Sequence, residues 1–207
     1  MAMINGKNGY FEKEVSIKNV DLKKVGLSAL VIFLILSTYF GLKYYYAKKL
    51  LKYNALINTA KTEKDYEKII SSGCPSVLKP VALYYYGKEL FNNKEYKKAM
   101  AEWEKIINYY PEHYLYGRAL IGYIHCYANV NEVFDYKHII ELIKKKKFAW
   151  ENEAYYDVAL ILEDKGRFED AKSVYEIVKK NGNEFWSKLA NYKIMVLKNK
   201  KKSSKKS

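Results

Sequence analysis

The chain has 207 residues, and its 37 lysines and arginines against 23 aspartates and glutamates give a formal net charge of +14. Only Arg118 and Arg167 are arginines, so the planar guanidinium fork that reads base edges and phosphates is nearly missing, and specific nucleic-acid recognition is not expected. Cys74 and Cys126 form no CxxC motif or disulfide framework, and the roughly 165 residues beyond Leu42 can bury a core without one. The lysine excess implies solubility or diffuse attraction to anionic surfaces, and the abundance of Lys, Tyr, Asn and Ile also fits drift in an AT-rich genome.

Residues 1–24 read as a short polar tail. The stretch from Val25 to Leu42 then carries no charge, between Lys23–Lys24 and Lys43. As a helix it would span roughly 27 Å, close to the hydrocarbon thickness of a bilayer. Tyr44, Tyr45 and Tyr46 follow, with Lys48 and Lys49 beyond them, the order expected of an interfacial belt. The segment is apolar all round, unlike a core helix, and lacks the small-x-small end of a cleavable signal. Residues 25–46 are therefore expected to be a retained single-pass anchor, with Tyr44–Tyr46 marking its end. Lysines flank it almost evenly, Lys7, Lys13, Lys18, Lys23 and Lys24 before and Lys43, Lys48, Lys49, Lys52, Lys61 and Lys64 after, so charge does not set the orientation. The stretch Ser71-Ser72-Gly73-Cys74 lies too far beyond the segment to be a lipid-attachment site.

From residue 47 to 197 the pattern is one of short helices, broken only at Pro75, Pro80 and Pro111. An early hairpin carrying Tyr66 and Ile70 is expected first. Residues 80–113, PVALYYYGKELFNNKEYKKAMAEWEKIINYYPEH, then combine small Gly87 and Ala99, which let two helices approach, with apolar Leu83, Leu90, Tyr96, Trp103 and Ile106. Asn92 and Asn93 favour a turn, and Pro111 stops the second helix. A second such window begins near Asn152, with Tyr155, Ala159, Leu162, Phe168, Ala171, Tyr175 and Val178 in the same successive slots and Gly166 in the turn. The separation of Ala99 from Ala171 leaves room for one degenerate unit, from about Tyr114 to Lys147, in which Val133, Tyr136, Ile140 and Ile143 fit the second helix. Phe185 to Leu197 reads as a final capping helix.

The order Gly87, Tyr96, Ala99, Trp103, Pro111, repeated in part by Phe168, Ala171 and Tyr175, resembles the tetratricopeptide repeat (TPR). The resemblance implies an all-α fold, one transmembrane helix followed by a TPR-like solenoid of antiparallel hairpins. It also implies a partner-binding groove, mapped here onto Val81, Tyr84, Lys88, Phe91 and Asn92 in one unit and Glu153, Tyr156, Leu160 and Glu163 in the other. An equally simple reading packs Tyr84 and Tyr156 against the next repeat. The carboxylate-clamp set of chaperone-binding TPR proteins is not reproduced, so that specificity is not expected.

Chemistry is sparse elsewhere. His113, His125 and His138 show no catalytic or metal-ligand spacing, and no phosphate-binding loop, nucleophile elbow or HExxH is present. No enzyme, cofactor or metal is expected. The tail 198–207, KNKKKSSKKS, holds six lysines and is expected to be disordered, with anionic lipid as its candidate contact. The layout is similar to membrane-anchored bacterial TPR proteins, chiefly the ancillary TPR subunit of the Sec translocon. It implies a non-enzymatic adaptor in the inner membrane, with repeats in the periplasm binding proteins or peptides. A structural subunit of an envelope machine, such as the collar of a spirochaete flagellar motor, and a cytoplasm-facing receptor are the alternatives.

Overall fold

The computed structural model describes residues 22–131 and 133–203, and among these the only regular secondary structure is α-helix. In chain order the helices are α1 (Leu22–Thr59), α2 (Glu63–Ser71), α3 (Lys79–Asn92), α4 (Tyr96–Tyr109), α5 (Tyr116–Val130), α6 (Tyr136–Lys144), α7 (Glu151–Asp164), α8 (Phe168–Asn181) and α9 (Glu184–Ser203). The polar tail expected over 1–24 lies almost wholly outside the described residues. The chain divides into two units, 1–48 and 49–207.

The first unit holds the apolar part of α1, a helix long and apolar enough to cross a membrane, and none of its most apolar window is buried by protein. Its few polar side chains are satisfied locally. Ser28 Oγ donates to the Lys24 carbonyl at 2.9 Å, Ser37 Oγ to Leu34 at 3.0 Å and Thr38 Oγ1 to Leu34 at 2.8 Å. A helix that closes its own hydroxyls in this way exposes little unpaired polarity to lipid. The helix continues past Tyr44–Tyr46, and the division between the two units falls just after them, at residue 48. Between Lys43 and Thr59 there is no Gly or Pro to stop it, and it runs on to Thr59.

The second unit takes in the last turns of α1 and everything after them. Thr62 caps α2 by accepting from the Asp65 amide at 3.3 Å, while Asp65 accepts from the Lys61 and Thr62 amides at 3.1 and 3.0 Å. This is a capping box, and the backbone and hydroxyl donors around it hold the Asp65 carboxyl below its usual range. Tyr53, Ile57, Ile69 and Ala82 bury a small cluster. In α2, Tyr66 and Ile69 are buried, and the half-buried Ile70 packs against both adjoining clusters.

Pro80 sits in the first turn of α3, where its missing amide is harmless. Helices α3 and α4 pack together, as do α4 with α5, α7 with α8 and α8 with α9, while α5 also packs on α3 and α7. The pair α3–α4 recurs as α7–α8, every helix of the two pairs being 14 residues long. The turns match as well. The Glu95 and Arg167 amides donate to the Leu90 and Leu162 carbonyls at 2.8 Å, and the central residues Lys94 and Gly166 both have positive φ, 63° and 72°. The expected Asn92–Asn93 turn is therefore centred one residue later. Ala82, Leu83, Tyr86, Gly87, Leu90, Ala99, Trp103 and Ile106 are buried in the first pair, and Ala154, Tyr155, Val158, Ala159, Leu162, Ala171, Tyr175 and Val178 in the second.

Between them, α6 starts at Tyr136 with Asp135 as its cap. Ile139, Ile140 and Ile143 are buried there, whereas Val133 lies before the helix and is exposed, against expectation. Pro111 is exposed and lies just past α4, which ends at Tyr109, where a helix stop is expected. Tyr96 and Phe168 open their helices but are not buried. Helix α9 does not stop at Leu197; it extends to Ser203, so the first part of the lysine-rich tail is helical rather than disordered.

Candidate partner-binding face

Helix α5 packs on both α3 and α7. The mapped groove residues lie on α3 and α7, and several are already committed to packing. Tyr84 and Phe91 flank Trp103, with ring centroids 6.4 and 5.9 Å away, and Phe91 also meets Tyr96 edge-on at 5.3 Å. Trp103 Nε1 donates to the Tyr84 carbonyl at 3.2 Å, tying α4 to α3. On α7, Tyr156 sits 5.3 Å from Tyr175 and 5.6 Å from Trp186. Burial raises the hydroxyl pKa values of Tyr84 and Tyr156, and Arg118 and Lys193 respectively offset part of that.

Glu163 is also spoken for. It accepts from the Tyr175 hydroxyl and from Lys193 Nζ at 2.9 Å, joining α7, α8 and α9. Tyr84 and Tyr156 thus pack on Trp103 and Tyr175 of their own hairpins as well as beside Arg118 and Trp186, while Tyr84, Phe91 and Tyr156 keep part of their surface in solvent. Lys88 and Asn92 are exposed, and Val81, Glu153 and Leu160 are half-exposed.

The middle helix supplies what the sequence mapping left out. Arg118 stacks over the Trp150 indole at 4.1 Å and lies beside Tyr84, a cation–π arrangement that fixes the guanidinium plane. Gly117 makes room for this, because a Cβ there would stand 2.5 Å from Phe148 and 3.0 Å from Trp150. His125 Nε2 lies 3.1 Å from Asp157 Oδ2, pairing α5 with α7. Neither contact had a local sequence signal: in each pair the whole of α6 separates the partners along the chain, and they meet only after the helices stack.

His113 has a structural task. Its Nδ1 accepts from the Leu115 amide at 3.3 Å, and burial lowers its pKa. Cys126 is buried with its thiol pushed up to about 12, Cys74 is half-buried, and both are free. Among the described residues no group of three or more His, Cys, Asp or Glu is placed to hold a metal ion. A cleft of 590 Å³ opens beside Lys61, Glu63, Glu67 and Glu89, and one of 280 Å³ beside Tyr116, Lys145 and Lys146; neither includes a mapped groove residue. Comparison with protein-family models, curated proteins and solved structures returns no match.

Proposed function

We propose that the protein is a non-enzymatic, single-pass membrane adaptor whose second unit is a TPR-like array of helical hairpins that binds polypeptide partners. The observation that carries this reading is the recurrence of one hairpin, α3–α4 and again α7–α8, with equal helix lengths and the same turn. A repeated supersecondary unit stacked through a middle helix pair is how extended binding surfaces are built. The apolar window of α1, with none of it buried by protein, supports a bilayer as its environment.

The face assigned to partners is the α3–α5–α7 layer, with Lys88, Arg118 and Leu160 as its contact side chains and Tyr84 and Tyr156 as half-exposed aromatic floor. Mixed aromatic, aliphatic and cationic character suits peptide segments. The compartment assigned is the bacterial inner membrane with the second unit on the periplasmic side.

Two measurements test this. Reporters active only in the periplasm or only in the cytoplasm are fused after Lys202; activity of the cytoplasmic one alone overturns the orientation. Photo-crosslinkers placed at residues 88 and 160 should capture discrete polypeptides in cells, and the same probe at exposed Lys180 on α8, outside this layer, should not. Equal capture from all three positions removes the assignment of the face.

A further inference from the structure

The last helix carries apolar side chains on two faces. Ala190, Ile194 and Leu197 are buried against the rest of the second unit. On the other side of α9, Phe185, Tyr192 and Met195 are 65%, 58% and 52% exposed. Phe185, Leu189, Tyr192 and Val196 follow at spacings of four, three and four, one stripe of a helix, and Leu189 and Val196 are half-buried at its edge. Phe185, Tyr192 and Met195 thus leave an apolar outer face on the last helix.

Charge decides what covers it. Lys188 shares the outer side, paired with Glu184 at 2.6 Å. Immediately after the stripe the sequence holds six lysines in residues 198–207, and the helix continues into them as far as Ser203. A second copy of the chain would bring a second lysine-rich end and another net +14 to the same place. An anionic bilayer surface complements both features: headgroups attract the lysines, and the aromatic and thioether side chains enter the headgroup–acyl boundary.

We propose that α9 is an interfacial membrane contact in addition to α1: its Phe185–Tyr192–Met195 face and the lysines after it dock on the anionic surface of a lipid bilayer. The proposal rests on the membrane-anchored reading for a bilayer within reach, and it predicts weakening by salt, as for any polybasic contact.

The test uses the full chain with Cys74→Ser and Tyr192→Cys, labelled at 192 with a fluorophore; a second version carries the label through Met195→Cys. It is reconstituted in brominated phosphatidylcholine, alone or mixed with brominated phosphatidylglycerol. A parallel arm holds the chain in unbrominated nanodiscs and adds brominated anionic vesicles, which reads docking on a facing bilayer. Bromine quenching of both labels in the anionic lipid of either arm is expected. Lys→Gln substitution at 198, 200, 201, 202, 205 and 206 should weaken vesicle binding on the order of tenfold or more. Absence of quenching in both arms overturns the proposal. So does label protection that grows with protein concentration without quenching, the mark of a second copy. Resistance of the chain to alkaline carbonate extraction is scored separately: an inserted but unquenched chain removes α9's role alone, and an extracted chain removes the anchor.

Discussion

Trp103 occupies a slot walled by two helix backbones. A Cβ on Gly87 would stand 2.7 Å from its Nε1, and one on Gly122 2.6 Å from its ring carbons. Gly87→Ala and Gly122→Ala should each destabilise the second unit by about 1–3 kcal/mol through overpacking. In a Trp103→Phe background the smaller ring leaves space, so the penalty should shrink. Chemical denaturation of each double-mutant cycle reads the coupling, and strict additivity would remove the slot from the explanation. The turn residues make a second contrast. Lys94 holds a φ of 63° that side chains with a Cβ resist, while Gly166 holds 72° freely. Lys94→Gly should stabilise by about 0.5–1 kcal/mol, and Gly166→Ala should destabilise by a similar amount. Opposite signs from equivalent positions of the two hairpins, measured as denaturation midpoints, are the expected result.

At the scale of elements, the two hairpins fill one packing position with different chemistry. Phe91 against Trp103 in the first becomes, at the equivalent positions of the second, Glu163 bonded to Tyr175 and also to Lys193. Glu163→Ala strands the Tyr175 hydroxyl and the Lys193 ammonium, both partly shielded from water, and should cost about 1.5–3 kcal/mol. Glu163→Gln keeps an acceptor and should cost less; if both variants lose the same amount by thermal unfolding, the triad is not what joins α7 to α9. This exchange also shows what was legible beforehand. Helix spans, the small residues at crossings and the return of the hairpin pattern are local or periodic, so Gly87, Ala99 and Ala171 could be read directly. Which face a half-apolar residue takes is decided by stacking. The contacts of Tyr84 with Trp103 and of Glu163 with Tyr175 and Lys193 were therefore not readable beforehand, and Arg118 on Trp150 or His125 on Asp157 left no trace at short range. How far α1 runs past Tyr46 is a separate matter from the aromatic belt: such a belt marks depth in a bilayer, but only a helix stop ends a helix.

For the molecule as a whole, the tyrosines couple stability to alkaline pH. Tyr155 is buried, and its hydroxyl pKa is pushed up to about 12 from an ordinary 10.0. Tyr86 and Tyr175 are raised further, first by burial and then by hydrogen bonds to the carboxylates of Glu67 and Glu163. A raised folded pKa means the native state keeps a proton that the unfolded chain gives up above pH 10. The stabilisation is fully present below that pH and is lost as pH climbs through the folded value. Each group then removes about 1.4 kcal/mol per pH unit, and the three together about 4 kcal/mol per unit, a large fraction of a typical domain's stability. The second unit should therefore unfold cooperatively at alkaline pH, with tyrosinate absorbance rising in step with loss of helical circular dichroism. Tyr86→Phe and Tyr175→Phe should each move that transition to higher pH relative to their own stability at neutral pH, because a proton-linked term has been deleted. Tyr114→Phe, at an exposed position, should leave it in place. Ionisation of the buried hydroxyls without unfolding would mean that water reaches the core between the hairpins, and the packing of Tyr86, Tyr155 and Tyr175 would have to be redrawn.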